Sequence, residues 1–320
     1  MKPAPSLVAP RLAPILPEHH DAVARLLHVS LVSWYQSRLG QGARFGERAE
    51  PFRIFPEVYA ALDPGEGVGA WDTESGELLG VCFVHPRPTH VSIGIVATGP
   101  GAQGRGIARA MLEPALRRAR AEGKPVRLVS SALNLDSFSL YTRLGFVPHT
   151  LYQDLVLNVP AAGLAGPAPV GAARVRAARA DEARRLADFE QAWRGVRREK
   201  DYEFFLSNRV GAWKVWVLDD AGAPEGEPAG FLVASYDPAC VMLGPGVARD
   251  EAAATALIWT ALDALRGQAP VVLAPCAEAG LVRTLYGWGA RNVELHVASA
   301  LGAVPPARGI GFPTFLPESA

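Results

Sequence analysis

The sequence predicts an α/β fold of the α+β kind, built twice in tandem, each copy a mixed, largely antiparallel central sheet flanked by helices. Three observations predict it. The chain has 320 residues, more than one compact domain ordinarily holds at about 100 to 200 residues. The stretch Asn158 to Ala173, NVPAAGLAGPAPVGAA, is rich in Ala, Gly and Pro, carries no charge or periodicity, and reads as a mid-chain linker. The two sides of that stretch also echo each other. A short strand and an acidic helix start appear at residues 12–20 and again at 175–183, and Leu140-Tyr141 before Gly145-Phe146 is matched by Leu285-Tyr286 before Gly289-Ala290. The expected boundaries are a first domain at 10–158, a linker at 159–173, a second domain at 174–304 and a C-terminal tail at 305–320.

In the first half, a strand is expected near 11–16, followed by helices across 18–38 and 51–62. Apolar runs at 67–72 and 77–84 around the polar turn Thr73-Glu-Ser-Gly76 predict a hairpin. Val91 to Ala97 is an apolar strand, and a glycine-rich loop follows from Gly99 to Gly106. Ile107, Met111, Leu112, Ala115, Leu116 and Ala119 recur at helical spacing, which predicts an amphipathic helix packed on a sheet. Gly123 closes that helix, Pro125 to Ser131 forms another strand, and Asn134 opens a shorter helix ending at Gly145. In the second half, Leu243 to Glu251 stands where a matching loop is expected. Leu257, Ile258, Ala261, Leu262 and Leu265 line one face of the helix behind it.

Composition narrows the function classes. Hydrophobic residues make up 49% and charged residues 20% of the chain, enough for ordinary cores and unlike a disordered protein. The formal net charge of zero removes the attraction to phosphate backbones and anionic lipids that a basic protein has, so no nucleic-acid or membrane partner is expected. The proline-broken N-terminus offers no signal-peptide core and no run is long enough to cross a bilayer, which gives a cytoplasmic expectation. Cys82, Cys240 and Cys276 are odd in number and lack metal-ligand spacing, so core thiols and no metal are expected.

The chemistry points to the loop Gly99-Pro-Gly-Ala-Gln-Gly-Arg-Gly-Ile-Ala108. A glycine loop joining a strand to a helix turns backbone N–H groups toward the positive end of the helix dipole, and side chains there would hold a phosphate away. Gly99-x-Gly101-x-x-Gly104 also satisfies the dinucleotide fingerprint. That reading needs an acidic residue at the end of the next strand, and Pro125 to Asn134 supplies none. It also needs the loop to follow the fold's first strand, whereas about 90 residues precede this one.

The frame Gln103-Gly-Arg-Gly106-Ile-Ala108 instead resembles the Q/R-x-x-G-x-G/A motif of the GNAT acetyltransferases. Asn134-Leu-Asp-Ser-Phe-Ser-Leu-Tyr141-Thr-Arg-Leu-Gly145-Phe146 resembles that family's N-x-x-A-x-x-L-Y-x-x-x-G-F segment, with Ser137 where Ala is usual. The resemblance covers roughly residues 10 to 158. It implies acetyl-CoA as co-substrate, with Val96 and Thr98 against its pantetheine arm and the amides of Gln103, Gly104, Arg105, Gly106, Ile107 and Ala108 around its pyrophosphate. It also implies that Asn134 contacts the cofactor and that Tyr141 is the general acid. The strand holds no Glu or Asp, and strand alternation places His90 and Ser92 on the face of Val96, so His90 is the candidate base. By the resemblance, Trp34, Tyr35, Arg44 and Phe45 are candidates for acceptor recognition.

The implied activity is acetyl transfer to a primary amine of a small molecule or peptide. A mycothiol-synthase-like tandem enzyme and a non-catalytic CoA-binding or interaction protein remain open alternatives. The oligomeric state is not readable, and a monomer with two pseudo-related domains is consistent with the repeat. The second half lacks the Q-x-x-G-x-A frame and carries Asp250 and Glu251 at the helix start, where they would repel a pyrophosphate. It is expected to share the fold without binding acetyl-CoA in the usual way. The apolar tail Gly309 to Pro317 is expected to dock on a domain, at a place the sequence does not specify.

Overall fold

Residues 9–220 and 227–317 are described in a computed structural model of the chain; the proline-broken stretch at 1–8 lies outside the described residues. The first of two units holds the residues through Pro86 together with Val91–Gly123. Its elements are β1 (Arg11–Pro14), α1 (His20–Leu39), α2 (Ile54–Leu62), β2 (Gly67–Trp71), β3 (Leu78–Pro86), β4 (Val91–Thr98) and α3 (Ile107–Ala121). The four strands pair antiparallel in chain order. The polar turn between β2 and β3 is held by Asp72, whose carboxylate accepts the backbone N–H groups of Glu74 and Ser75.

The six apolar positions expected along α3 are all buried, at 6% exposure or less. Each large side chain among them contributes about 1.5–3 kcal/mol by leaving water. α1 ends on Gly40, which adopts the left-handed conformation at φ 67° that glycine accepts without strain.

The second unit holds Arg87–His90 and the chain from Lys124 onward. It contains β5 (Val126–Ser131), α4 (Leu135–Arg143), β6 (Val147–Val156), β7 (Val175–Ala177), α5 (Ala183–Arg194), α6 (Glu199–Ser207), β8 (Trp213–Asp219) and β9 (Pro228–Ser235). β10 (Met242–Ala248), α7 (Glu251–Asp263), β11 (Val271–Pro275), α8 (Ala279–Gly287), β12 (Arg291–Leu301) and β13 (Ile310–Phe312) complete it. The run β1 to β6, with its helices, is repeated element for element by β7 to β12, so the tandem repeat is visible in the chain's own order. Among the described residues, β13 has no counterpart in the first half.

The strands of the two halves are interleaved rather than kept apart. β12 pairs antiparallel with β5 on one side and with β6 on the other, and β6 pairs onward with β11. Within this unit the sheet runs β5-β12-β6-β11-β10-β9-β8-β7. The segment after β6 begins as part of that fold. Leu157 and Val159 are each 3% exposed, and their N–H groups donate to the carbonyls of Pro270 and Gln268. The next regular element is a short 3-10 turn at Ala172–Arg174. One core gathers Leu155, Leu232, Leu243, Leu257, Ile258, Leu262 and Leu281 under α7 and α8. Among the described residues no helix is long and apolar enough to cross a membrane.

Candidate active site

β4 carries a bulge. Cys82 pairs with Val96 and Val84 with Ile93, so β4 spends one residue more than β3 across Gly94 and Ile95. The bulge inverts the alternation, which puts Ser92 and Val96 on opposite faces and corrects the shared face expected for His90, Ser92 and Val96. Gly94 is required here because a Cβ would lie 2.8 Å from Nε2 of His85. That ring is fully buried, with Nδ1 2.6 Å from Oδ2 of buried Asp63. Beyond the bulge, Val96 and Thr98 are half-buried, and the carbonyl of Thr98 accepts the Ser30 hydroxyl at 3.0 Å.

The loop leaves the strand with the Gly99 N–H donating to Leu79 O and the Ala102 N–H donating to Gly99 O. Ala102 is 3% exposed and anchors the loop from beneath, whereas Gln103, Gly104 and Gly106 are exposed. Gly104 and Gly106 have φ of 74° and 76°, and nothing lies within 4 Å of where a Cβ would stand on either. The loop is therefore conformationally committed to glycine while the space over it stays open. α3 starts on Gly106 with no side-chain cap and no acidic residue in its first turn. A helix start without an internal cap presents its first N–H groups and its positive dipole end to an anion. Ile107 is buried and locks the helix start to the sheet; Arg105 and Ala108 are half-buried beside the open face.

The helix-opening motif lies in the second unit. Asn134 is the N-cap of α4, its side-chain oxygen accepting the Ser137 N–H at 3.2 Å. Ser137, at the place where the family has Ala, turns its hydroxyl to the Asn134 carbonyl at 3.0 Å. Tyr141 is 8% exposed and meets Phe146 edge-on at 5.8 Å, so part of its ring is core. His90 is 1% exposed, and its Nδ1 sits 3.0 Å from Thr89 Oγ1. Burial, reinforced by Arg127, Arg198, Arg87 and Lys124, pushes its pKa well below the ordinary imidazole value. The structure thus places Val96, Thr98 and Gln103 to Ala108 together in the first unit, and His90, Asn134 and Tyr141 in the second. Trp34, Tyr35 and Phe45 form one aromatic cluster in the first unit, with the Arg44 guanidinium 4.9 Å from the centre of the Tyr35 ring.

The corresponding crossing of the second half differs from expectation. Leu243 to Ala248 is not a loop but part of β10, because its backbone pairs with β9 through a bulge between Leu243 and Gly246. Only Arg249 and Asp250 separate the strand from α7. Asp250 caps the helix by accepting the Ala253 N–H at 2.8 Å, and Glu251 accepts the Gly280 N–H at 3.0 Å. This helix start is satisfied from within.

Sequence reading missed the buried polar pairs. Arg87 is ion-paired with Asp201 at 2.6 Å, both fully buried, and Arg198 with Glu190 at 2.6 Å, also joined by the Tyr202 hydroxyl. His85 carried a signal, as the sole polar residue within the apolar strand Leu78–Pro86. Asp154, Glu294 and His296 are buried with donor atoms within 4.8 Å of one another, a set whose chemistry suits a cation although no metal was expected. His296 Nδ1 is already 2.8 Å from Asp154 Oδ1.

No curated protein matches the chain. Its fold is similar to several solved structures. A putative acetyltransferase from Pyrococcus horikoshii superposes with a TM-score of 0.70 at 14% identity, over 95% of this chain and 92% of that one. A GCN5-related N-acetyltransferase from Sphaerobacter thermophilus gives 0.60 at 16%, over 93% and 97%. A tandem GNAT protein from the clavulanic acid biosynthesis pathway gives 0.59 at 15%, over 92% and 99%. At these identities the likeness shows the fold alone. Residues 30–146 match the model of the acetyltransferase (GNAT) family, a span that holds both the glycine loop and the Asn134 to Phe146 segment. Residues 30–146 thus match an acetyltransferase (GNAT) family domain, within a chain whose fold is similar to those solved structures.

Proposed function

We propose that the protein is an acetyl-CoA-dependent N-acyltransferase that acetylates a primary amine of a small molecule or peptide, using the loop of its first half. The observation that carries this reading is the open helix start at Gly106, with two left-handed glycines and no capping side chain. The amides of Gln103 to Ala108 hold the pyrophosphate, and the backbone at Val96 and Thr98 accompanies the pantetheine arm. The neutral amine attacks the thioester carbon, a tetrahedral oxyanion forms, and the carbon–sulfur bond breaks as the thiolate leaves. Tyr141 delivers its phenolic proton to that thiolate, a step that contributes roughly 10² to 10⁴ in rate.

The proton lost by the attacking amine passes through solvent to restore the Tyr141 phenol and does not end on His90. Burial and four nearby cations disfavour the imidazolium that base catalysis would create there. Asn134 acts chiefly through position, because its side-chain oxygen is engaged in capping α4.

The test is release of free CoA thiol from acetyl-CoA against panels of amines, aminoglycosides, amino acids and peptides. Thiol release that depends on one acceptor class and is lost in Tyr141→Phe supports the reading. Release with no acceptor in any panel, from protein that binds acetyl-CoA, contradicts it.

A further inference from the structure

β10 has two edges, and one pairs with β9 along the strand. The other edge pairs parallel with β11 only at Met242 and Leu243. Past that point β11 no longer pairs with β10, and the edge at Gly246, Val247 and Ala248 is taken by β13, antiparallel, through Phe312, Gly311 and Ile310. An open strand edge beside a diverging neighbour is a groove for an extended chain carrying amide donors and acceptors along an apolar body. The resident occupant is this chain's own C-terminal segment.

The fit is close on every side. Ile310, Phe312, Thr314 and Leu316 are 3% exposed or less. Gly309 has φ 64°, and a Cβ on it would lie 2.5 Å from the Ala248 carbonyl oxygen. On the strand's side, Gly244 has φ 138°, and a Cβ there would fall 2.2 Å from the Pro313 carbonyl oxygen. The segment is held at its entry by α5, where Arg194 donates to the Gly309 carbonyl and the Arg308 N–H donates to the Trp193 carbonyl.

We propose that the segment Gly309–Pro317 is a built-in ligand of the second half, filling the groove beside β10 that would otherwise take an amide-bearing carrier arm and closing that half to acyl-CoA. The contrast with an acyl-CoA site in the first half rests on the function proposed above; the occupied groove does not. Pantetheine, an uncharged thiol with two amides, belongs to the ligand class the groove fits. The helix start adds a separate barrier to the phosphates, because Asp250 already accepts the Ala253 N–H there and, with Glu251, brings negative charge.

Hydrogen exchange on the full chain tests this, with saturating acetyl-CoA and with millimolar pantetheine, on wild type, on Gly309→Val and on the milder Phe312→Ala. Acetyl-CoA is expected to slow exchange at residues 96–108 and to leave 242–250 and 309–317 unchanged. Either substitution is expected to speed exchange at 245–249 at least tenfold, and pantetheine is then expected to slow it again. Acetyl-CoA that alters protection at 242–250 in wild type overturns the proposal, as does pantetheine that leaves β10 unprotected in both variants. A failure of acetyl-CoA to protect 96–108 sinks the proposed function alone, since the pantetheine arm of the experiment is read on β10.

Discussion

Two strand-to-helix crossings occupy matching places in the repeat, β4 to α3 and β10 to α7, and they solve the helix-start problem in opposite ways. The first spends eight residues, Gly99 to Gly106, and arrives at a helix with no cap. The second spends two, Arg249 and Asp250, and arrives with Asp250 capping and Glu251 engaged. Four N–H groups at a helix start must find partners. A protein that supplies them from its own side chains gains stability, and one that withholds them keeps a place for an anion. The difference teaches where a ligand belongs more reliably than the shared fold does.

The sharpest way to break this comparison uses the tyrosines that follow Leu140 and Leu285. Tyr141 is buried, whereas Tyr286 is 44% exposed with its hydroxyl donating to Gln153 Oε1. Tyr141→Phe is expected to lower turnover about 10² to 10⁴-fold with cofactor affinity unchanged, and Tyr286→Phe to leave turnover alone. Steady-state kinetics with parallel calorimetry checks both. Equal losses in the two variants would erase the distinction between halves.

Next in size is a charge placed on the open helix start. Ala108→Asp puts a carboxylate in the first turn of α3, where it favours the helix dipole yet repels a pyrophosphate. Acetyl-CoA affinity is expected to fall at least about a hundredfold, near 2.7 kcal/mol, without loss of thermal stability. Unchanged affinity in the folded variant would move the phosphate site elsewhere. The mirror experiment is Asp250→Ala, which removes the cap of α7. It is expected to cost about 0.5–2 kcal/mol of stability and to leave acetyl-CoA binding untouched.

Much of this was legible in the sequence, and the legible part is local. The period of Ile107, Met111, Leu112, Ala115, Leu116 and Ala119 gave α3 to within a residue or two, and Asn134 marked the cap of α4. What was not legible is non-local. Alternation in Arg291–Leu301 says that a strand forms and says nothing of its partners, so its insertion between β5 and β6 had no signature. The same limit hid the pairing of Ile310–Phe312 with β10 and turned the Gly-Pro-Gly of residues 244–246 from a strand into an apparent loop. The bulge at Gly94 and Ile95 inverted a face assignment that depended on unbroken alternation. His90 read as a candidate base because sequence does not report the burial and the cations that surround it.

The smallest effect expected concerns that histidine. Its pKa is depressed in the fold, so the native state keeps it neutral while the unfolded chain titrates near 6.5. Its contribution is therefore intact above about pH 6.5 and is lost as pH falls below that value, at up to about 1.4 kcal/mol per pH unit. His90→Gln is expected to flatten the acid fall in thermal midpoint and to leave the pH dependence of turnover in place. A variant that instead loses the acid limb of the turnover profile would restore His90 as the base.

The most direct test of the central claim is calorimetric titration of the full chain with acetyl-CoA. The two crossings predict one site per chain, abolished by Ala108→Asp and retained in Asp250→Ala. A stoichiometry of two, or a site that survives Ala108→Asp, would contradict the assignment of the cofactor to the loop of the first half.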